Sequence, residues 1–505
     1  MHPSFVSFHR LSYSRRGLGV SCAVLLSVGL VCATLTSFLM APGVPGPVFE
    51  KPDTPQLDLI SIFQPFLHPQ GPSTIFPPGV FDFAEFSPES TPAQLGLMLL
   101  SDGTEEVLPL LEVMADLDSP EKGIQYLLGV YHMRRGNYAE AGSYFENENL
   151  AHPDPRARFA HLDALFRGGF DEQIDALRAD PAYQREMRGA FLMRVGLRRG
   201  NWRQVFKNFW IAEYAGLRPS LLFLTLLSGS IWVIIFLHIL PPGSMRRIRG
   251  LALLALALGW MSTWPTLWSD MWMGMHFPIE PGTDFFSLFL YFTLSVGVRE
   301  ELCKLLLFVP LLPWALKKGT DLDALLLGAM VGLGFAIEEN INYFDQILTG
   351  GITVGRFVSA NFLHATLTGA CALALTRMVK APGRWFQDSL TIIVSAILLH
   401  GVYNTLLSAP VPGVGDMSYF AGTALAGCAI LFFREVRARA EFRGRIISIT
   451  GLFFWGFCIL INMELVMTAL ILPVKQAVEI VGHSALAGIV SAFVFLHHVN
   501  EPLGE

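Results

Sequence analysis

The sequence predicts an all-α protein, a polytopic transmembrane helical bundle that carries an N-terminal extracytoplasmic domain of α-helical repeats. Three observations lead there. Only 15% of the 505 residues are Asp, Glu, Lys or Arg, against about 25% in an ordinary soluble domain. Apolar residues make up 52% of the chain, and stretches of membrane-spanning length recur through its second half. Half of the 78 charged side chains (36 basic plus 42 acidic) fall within residues 44–215, as 24 acidic and 15 basic groups. That segment faces water, and the rest is membrane body. The net charge of −6 gives no basic surplus, so no nucleic-acid partner is expected.

Residues 1–43 place Arg10, Arg15 and Arg16 before the apolar run Leu18 to Met40. More than 20 apolar residues favour an uncleaved signal-anchor over a shorter, cleaved signal peptide. Residues 44–95 are rich in Pro, Ser and Phe and read as an irregular linker. Residues 96–215 are helical in pattern and contain a repeat. Arg135-Gly136-Asn137-Tyr138, Arg167-Gly168-Gly169-Phe170 and Arg199-Gly200-Asn201-Trp202 recur every 32 residues. A glycine at a turn supplies positive φ, and the aromatic that follows anchors the next helix. Leu128-Gly129, Gly136, Tyr138, Ala141, Phe145 and Pro153 resemble a tetratricopeptide repeat. Such a solenoid either spaces the chain or offers a docking surface for a protein partner.

Nine apolar spans follow, near 219–240, 250–269, 284–316, 322–348, 357–376, 388–408, 417–433, 447–472 and 476–498. The third would be about 48 Å long if straight, against about 30 Å of hydrocarbon, so it is expected to be broken or tilted. With the N-terminus cytoplasmic, thirteen basic residues fall in cytoplasmic loops, among them Arg246, Arg247, Arg249, Arg377 and Arg439. Only Arg218, Arg356 and Lys475 fall outside, which satisfies the positive-inside rule. The repeats are then extracytoplasmic, on a multi-pass protein of the cell (inner) membrane. All six cysteines lie in apolar stretches, and no disulfide framework or CxxC zinc pair is present.

Charges inside spans are costly and point to function. Arg299-Glu300-Glu301-Leu302-Cys303-Lys304 sits near the middle of the long third span. On a helix Lys304 can neutralise one of the two carboxylates and leave the other free as a general base for water. A span end that simply reaches water is the plainer reading of this cluster. The next span holds Glu339 and Asn340, with Tyr343 one turn on. The two after it hold His364 with Thr368, and His400 with Asn404. Each histidine alone reads as a helix-packing residue, but four consecutive spans bringing such groups to the middle or outer half read as a site. Glu464, Glu479 and His483 of the last two spans read as inter-helix contacts or an access path.

Glu300-Glu301-x-x-Lys304, Phe335-x-x-x-Glu339-Asn340, His364-x-x-x-Thr368 and His400-x-x-x-Asn404 resemble the motifs of the PrsW family of intramembrane proteases. That family is related to CAAX-prenyl endopeptidases. The resemblance covers roughly 220–410; residues 216–410 are taken as the protease core and 411–505 as additional transmembrane helices. It implies hydrolysis of a peptide bond in a membrane-anchored protein, for example a regulatory protein such as an anti-sigma factor. The implied catalytic set is Glu300, Glu301, Glu339, His364, His400 and Asn404, supported by Lys304, Asn340 and Thr368. Glu300 is the expected base, and His400 with Asn404 the expected oxyanion donors. Metal-free glutamate catalysis is favoured; if a metal is used, Glu339, His364 and His400 are the expected zinc ligands.

No His-Glu-x-x-His and no rhomboid-like Gly-x-Ser-Gly occurs. Gly413-Val414-Gly415-Asp416 spells an aspartyl-protease motif but lies in a Pro/Gly loop and lacks a Tyr-Asp partner. The main alternative is a non-enzymatic receptor or scaffold whose repeats bind partners. A transporter ranks below it, because no inverted repeat is evident.

Overall fold

The computed structural model describes residues 11–40, 59–63, 91–101, 105–117, 119–214, 217, 219–277, 282, 284–346, 352–408, 410, 411, 415, 416, 418–440, 447–470, 472–483, 485 and 486. The chain divides into two units, Pro47–Ala215 and the combination of Met1–Gly46 with Gly216–Glu505. The membrane unit opens with α1 (Arg15–Met40).

The Pro47–Ala215 unit contains α2 (Leu59–Phe63), α3 (Thr91–Ser101), α4 (Leu108–Ala115), α5 (Ile124–Arg134), α6 (Tyr138–Ala151), α7 (Pro155–Gly168), α8 (Asp171–Leu177), α9 (Ala190–Arg198) and α10 (Trp202–Tyr214). The last six form three helix pairs, as the repeat predicts. Gly136, Gly169 and Gly200 all have φ between 64° and 77°, the left-handed conformation that ends a helix and admits the next. In the middle copy the turn falls one residue later than the 32-residue spacing implies, at Gly169 rather than Gly168, because α7 runs on to Gly168. Within the first pair, Gly129 makes room for the Phe145 ring, and Ala141 and Phe145 are fully buried. The expected linker is not irregular throughout. Leu59, Ile60 and Phe63 of α2 join the core around Tyr126 and Leu127, covering apolar surface that the first repeat would otherwise expose.

The membrane unit continues with α11 (Pro219–Ile239), α12 (Pro242–His276), α13 (Phe285–Leu290), α14 (Val298–Phe308), α15 (Leu312–Lys317), α16 (Asp321–Gln346), α17 (Ile352–Val358), α18 (Ala360–Lys380), α19 (Pro382–Ser408), α20 (Ser418–Arg437), α21 (Ile449–Ala469) and a helix at 474–483. A two-residue antiparallel pair, β1 (Pro410–Val411) with β2 (Gly415–Asp416), is the only strand pairing among the described residues. Residues 413 and 414 of the Gly-x-Gly-Asp sequence, and the expected span 476–498 beyond 486, lie outside them. Among the described residues, seven helices are long and apolar enough to cross a bilayer.

The expected third span is segmented. A π-helical stretch, Tyr291–Gly297, precedes α14, and a 3₁₀ turn, Val309–Leu311, with Pro310 separates α14 from α15. Such interruptions relieve an over-long helix and often sit beside functional groups. The centre of the unit is α16, whose spanning stretch is 94% buried. Gly332 lets it approach α18 so closely that a Cβ there would lie 2.1 Å from the His364 carbonyl oxygen. Small residues serve this purpose between membrane helices, where packing rather than water expulsion drives association.

Ion pairs gather Asp321, Arg377, Glu435 and Arg439 at one end of α16, α18 and α20. Glu339 lies about 27 Å along α16 from Asp321, and His364 about 20 Å along α18 from Arg377, at 1.5 Å per residue. Both therefore sit toward the opposite end of the bundle.

Candidate active site

The helices converge on one buried cluster. From α14 come Glu300, Glu301 and Lys304; from α16, Phe335 and Glu339; from α18, His364 and Thr368; and from α19, His400. Lys304 is fully buried and donates to three groups: Glu300 Oε2 at 3.1 Å, Glu301 Oε1 at 2.9 Å and His364 Nδ1 at 2.8 Å. Its ammonium also lies 3.9 Å over the Phe335 ring, whose face attracts a cation. That ring lies against His364, with centroids 5.1 Å apart, which accounts for an aromatic one turn before Glu339.

Lys304 thus pairs with both carboxylates, where the sequence reading left one of them free of it. What distinguishes the two is their other partners. Glu301 is fully buried and has three partners: besides Lys304, Oε1 accepts from His400 Nδ1 at 3.0 Å, and Oε2 from Thr368 Oγ1 at 3.3 Å. Glu300 is 7% exposed, and its only hydrogen bond among the described residues is to Lys304. Its Oε2 stands 3.7 Å from His400 Nε2 and 4.0 Å from His364 Nδ1. These distances are too long for direct hydrogen bonds, and with the His364 nitrogen taken by Lys304 the open pair is Glu300 Oε2 and His400 Nε2.

Both imidazoles are backed by carboxylates on their far nitrogens. Glu301 holds His400 Nδ1, and Glu339 Oε2 lies 3.1 Å from His364 Nε2. With Lys304 donating to its Nδ1, His364 is the neutral tautomer protonated at Nε2. Glu339 in turn accepts from Arg356 Nη2 at 2.6 Å. Asn340 accepts from Arg356 Nε and donates to Asn361, which donates to Ser228. Asn340 therefore braces helices at the edge of the cluster. Asn404 lies one turn beyond His400 and, among the described residues, makes no hydrogen bond to the cluster. Glu464 contacts the backbone of α17, while Glu479 and His483 are exposed.

Among the described residues, the group that could hold a metal ion is Glu300, His364 and His400, whose donor atoms lie within 4.8 Å of one another. The carboxylate differs from the expected one, because Glu339 is turned toward Arg356 and the far side of His364. Two histidines backed by carboxylates are a donor set that suits zinc in kind. The spacing is wider than the roughly 3.4 Å between donors that Zn–ligand bonds of about 2.0–2.1 Å require, and Lys304 occupies the His364 nitrogen that faces the gap.

The four motifs that converge here coincide with a family match. A family model described as PrsW family intramembrane metalloprotease matches residues 248–434. Residues 248–434 are a PrsW-family domain. No curated protein and no solved structure matches the chain. The protein is a peptidase, hence a hydrolase, built into a multi-pass membrane protein. The PrsW match runs to residue 434, so most of α20, set outside the resemblance above, lies within it.

Sequence reasoning missed Arg356, which it counted only as a charge outside the cytoplasm. Its signal was a lone arginine among apolar residues 17 positions after Glu339, a spacing that no motif singles out.

Proposed function

We propose that this site hydrolyses a peptide bond of a membrane-anchored protein with a water that Glu300 holds and deprotonates. The observation that carries the reading is the contrast between the two glutamates. Glu301 accepts from Lys304, His400 and Thr368, whereas Glu300 accepts from Lys304 alone among the described residues and keeps its Oε2 3.7 Å from His400 Nε2. Glu300 takes a proton from that water as its oxygen attacks the scissile carbonyl carbon. The carbonyl π electrons move onto oxygen, and His400 Nε2 and the Asn404 amide donate to the oxyanion. Collapse breaks the C–N bond, and Glu300 passes its proton to the leaving amine. Glu301 orients His400 and balances the charge of its protonated form. Lys304 fixes both carboxylates and His364. Were an ion bound by Glu300, His364 and His400, it would supply Lewis-acid activation of the same water.

The basic loop residues, read as cytoplasmic, support a cluster in the outer half of the inner membrane and repeats outside the cytoplasm. Substrates are then single-span proteins cut near that boundary, for example an anti-sigma factor, and the repeats recruit them. N-terminal profiling of membrane proteins tests this reading. Peptide termini that appear with the wild-type protein should vanish in Glu300→Gln, and an unchanged profile would overturn it. Deleting residues 96–215 tests the scaffold alternative. A protease keeps cleaving an abundant substrate, whereas a scaffold loses all function.

A further inference from the structure

The cluster does not end at Glu339. Arg356 projects from α17, a seven-residue helix between the long spans α16 and α18. Its guanidinium donates to Glu339 Oε2 through Nη2 and to Asn340 through Nε, and it lies 3.9 Å over the Tyr343 ring. The same Glu339 oxygen that accepts from Arg356 contacts His364 Nε2. A fork held on two acceptors and stacked on a ring has little freedom left. It fixes the Glu339 carboxylate, and through it the ring plane of His364. Without that hold the imidazole can turn its Nδ1 away from Lys304 and from the gap beside Glu300.

Arg356 is itself placed by residues outside the matched stretch 248–434. At the start of α17, the buried Glu464 of α21 accepts from the backbone amides of Thr353 at 3.3 Å and Val354 at 3.2 Å. At its end, the buried Trp232 of α11 donates its indole N–H to the Phe357 carbonyl at 2.8 Å. The helix that carries the arginine is pinned at both ends by flanking spans.

We propose that Arg356 is a positioning residue for peptide-bond hydrolysis, acting through Glu339 on His364, and that α11 and α21 serve the site by seating α17. The proposal rests on the Glu300 reading above.

The test uses isolated membranes carrying the full-length protein. It reads the neo-N-termini that form with wild type and are absent in Glu300→Gln. Arg356→Ala and Glu339→Gln should each lower their yield by about 10–100-fold, the usual loss when an orienting partner is removed. The double variant should be no worse than the weaker single one, because both changes cut the same link. Millimolar guanidinium should restore Arg356→Ala and leave Glu339→Gln and Glu300→Gln unrescued. Glu464→Ala should lower the yield and add nothing to Arg356→Ala. Arg356→Lys keeps the cation and loses the fork; it should melt like wild type in detergent and still cleave poorly. Wild-type yield in a folded Arg356→Ala or Arg356→Lys protein, or multiplicative losses in the double variant, would overturn the proposal while Glu300→Gln stays inactive. Full yield in Glu300→Gln would instead overturn the reading on which it rests.

Discussion

Replacing Lys304 with methionine removes the ammonium that the two adjacent glutamates share. The ammonium makes hydrogen bonds of 2.8–3.1 Å to Glu300, Glu301 and His364 and is fully enclosed. Methionine fills most of the volume, so packing changes little, and the loss is electrostatic. Breaking a buried ion pair from one side costs about 3–5 kcal/mol, because the buried negative charge is left without its counter-ion. Spread over a fold of this size, that lowers the melting temperature by about 5 °C. Removing one stranded charge as well should return part of the stability. Glu301→Gln in the Lys304→Met background keeps an acceptor oxygen for His400, turns its amide to the Thr368 hydroxyl, which can accept, and removes one of the two uncompensated carboxylate charges. Thermal unfolding of the detergent-solubilised protein, followed by tryptophan fluorescence, reads both variants, and cleavage should be absent in both. A Lys304→Met protein that melts with wild type would refute the assignment of Lys304 as shared counter-ion. So would a double variant that melts no higher than Lys304→Met.

Three further outcomes are expected. Gly332→Ala forces a Cβ against the His364 carbonyl; it should cost about 1–3 kcal/mol in thermal unfolding and impair cleavage, whereas Gly250→Ala, with open space around it, should change neither. In the repeat unit, burial pushes the His161 imidazole, 2.8 Å from the Tyr183 hydroxyl, down to about 4. The unfolded chain takes up that proton near 6.5, so stability present above that pH is lost as pH falls toward about 4, by about 3 kcal/mol in all. Amide exchange of α7, compared with His161→Gln at each pH, isolates this from Glu148, whose carboxyl is raised by burial and acts in the opposite sense. Finally, cleavage should survive a strong chelator, and elemental analysis should find less zinc than protein; stoichiometric zinc with chelator-sensitive cleavage would overturn the metal-free reading.

Much of this was legible in the sequence because membrane burial makes polar residues conspicuous. Glu300, Glu301, Lys304, Glu339, His364 and His400 stand out against apolar spans, and helical spacing already tied Lys304 to the glutamates. The three helix pairs were readable from glycines that must adopt positive φ. What spacing cannot supply is rotation and approach between helices. It could not tell that Lys304 reaches across to α18, or that Glu339 turns toward Arg356, leaving Glu300 as the carboxylate between the histidines. Nor could it tell that Leu59, Ile60 and Phe63, within a proline-rich stretch, close the end of the repeat core. These depend on contacts between residues far apart in the chain.

The central claim is that Glu300, and not its neighbour alone, activates the water. The most direct measurement reconstitutes the purified protein in liposomes with a substrate identified by N-terminal profiling and compares the cleavage rates of wild type and Glu300→Gln. The account predicts a fall of about 10²–10⁴-fold, the usual contribution of a general base, with the melting temperature unchanged. A Glu300→Gln protein that cleaves at the wild-type rate would contradict it.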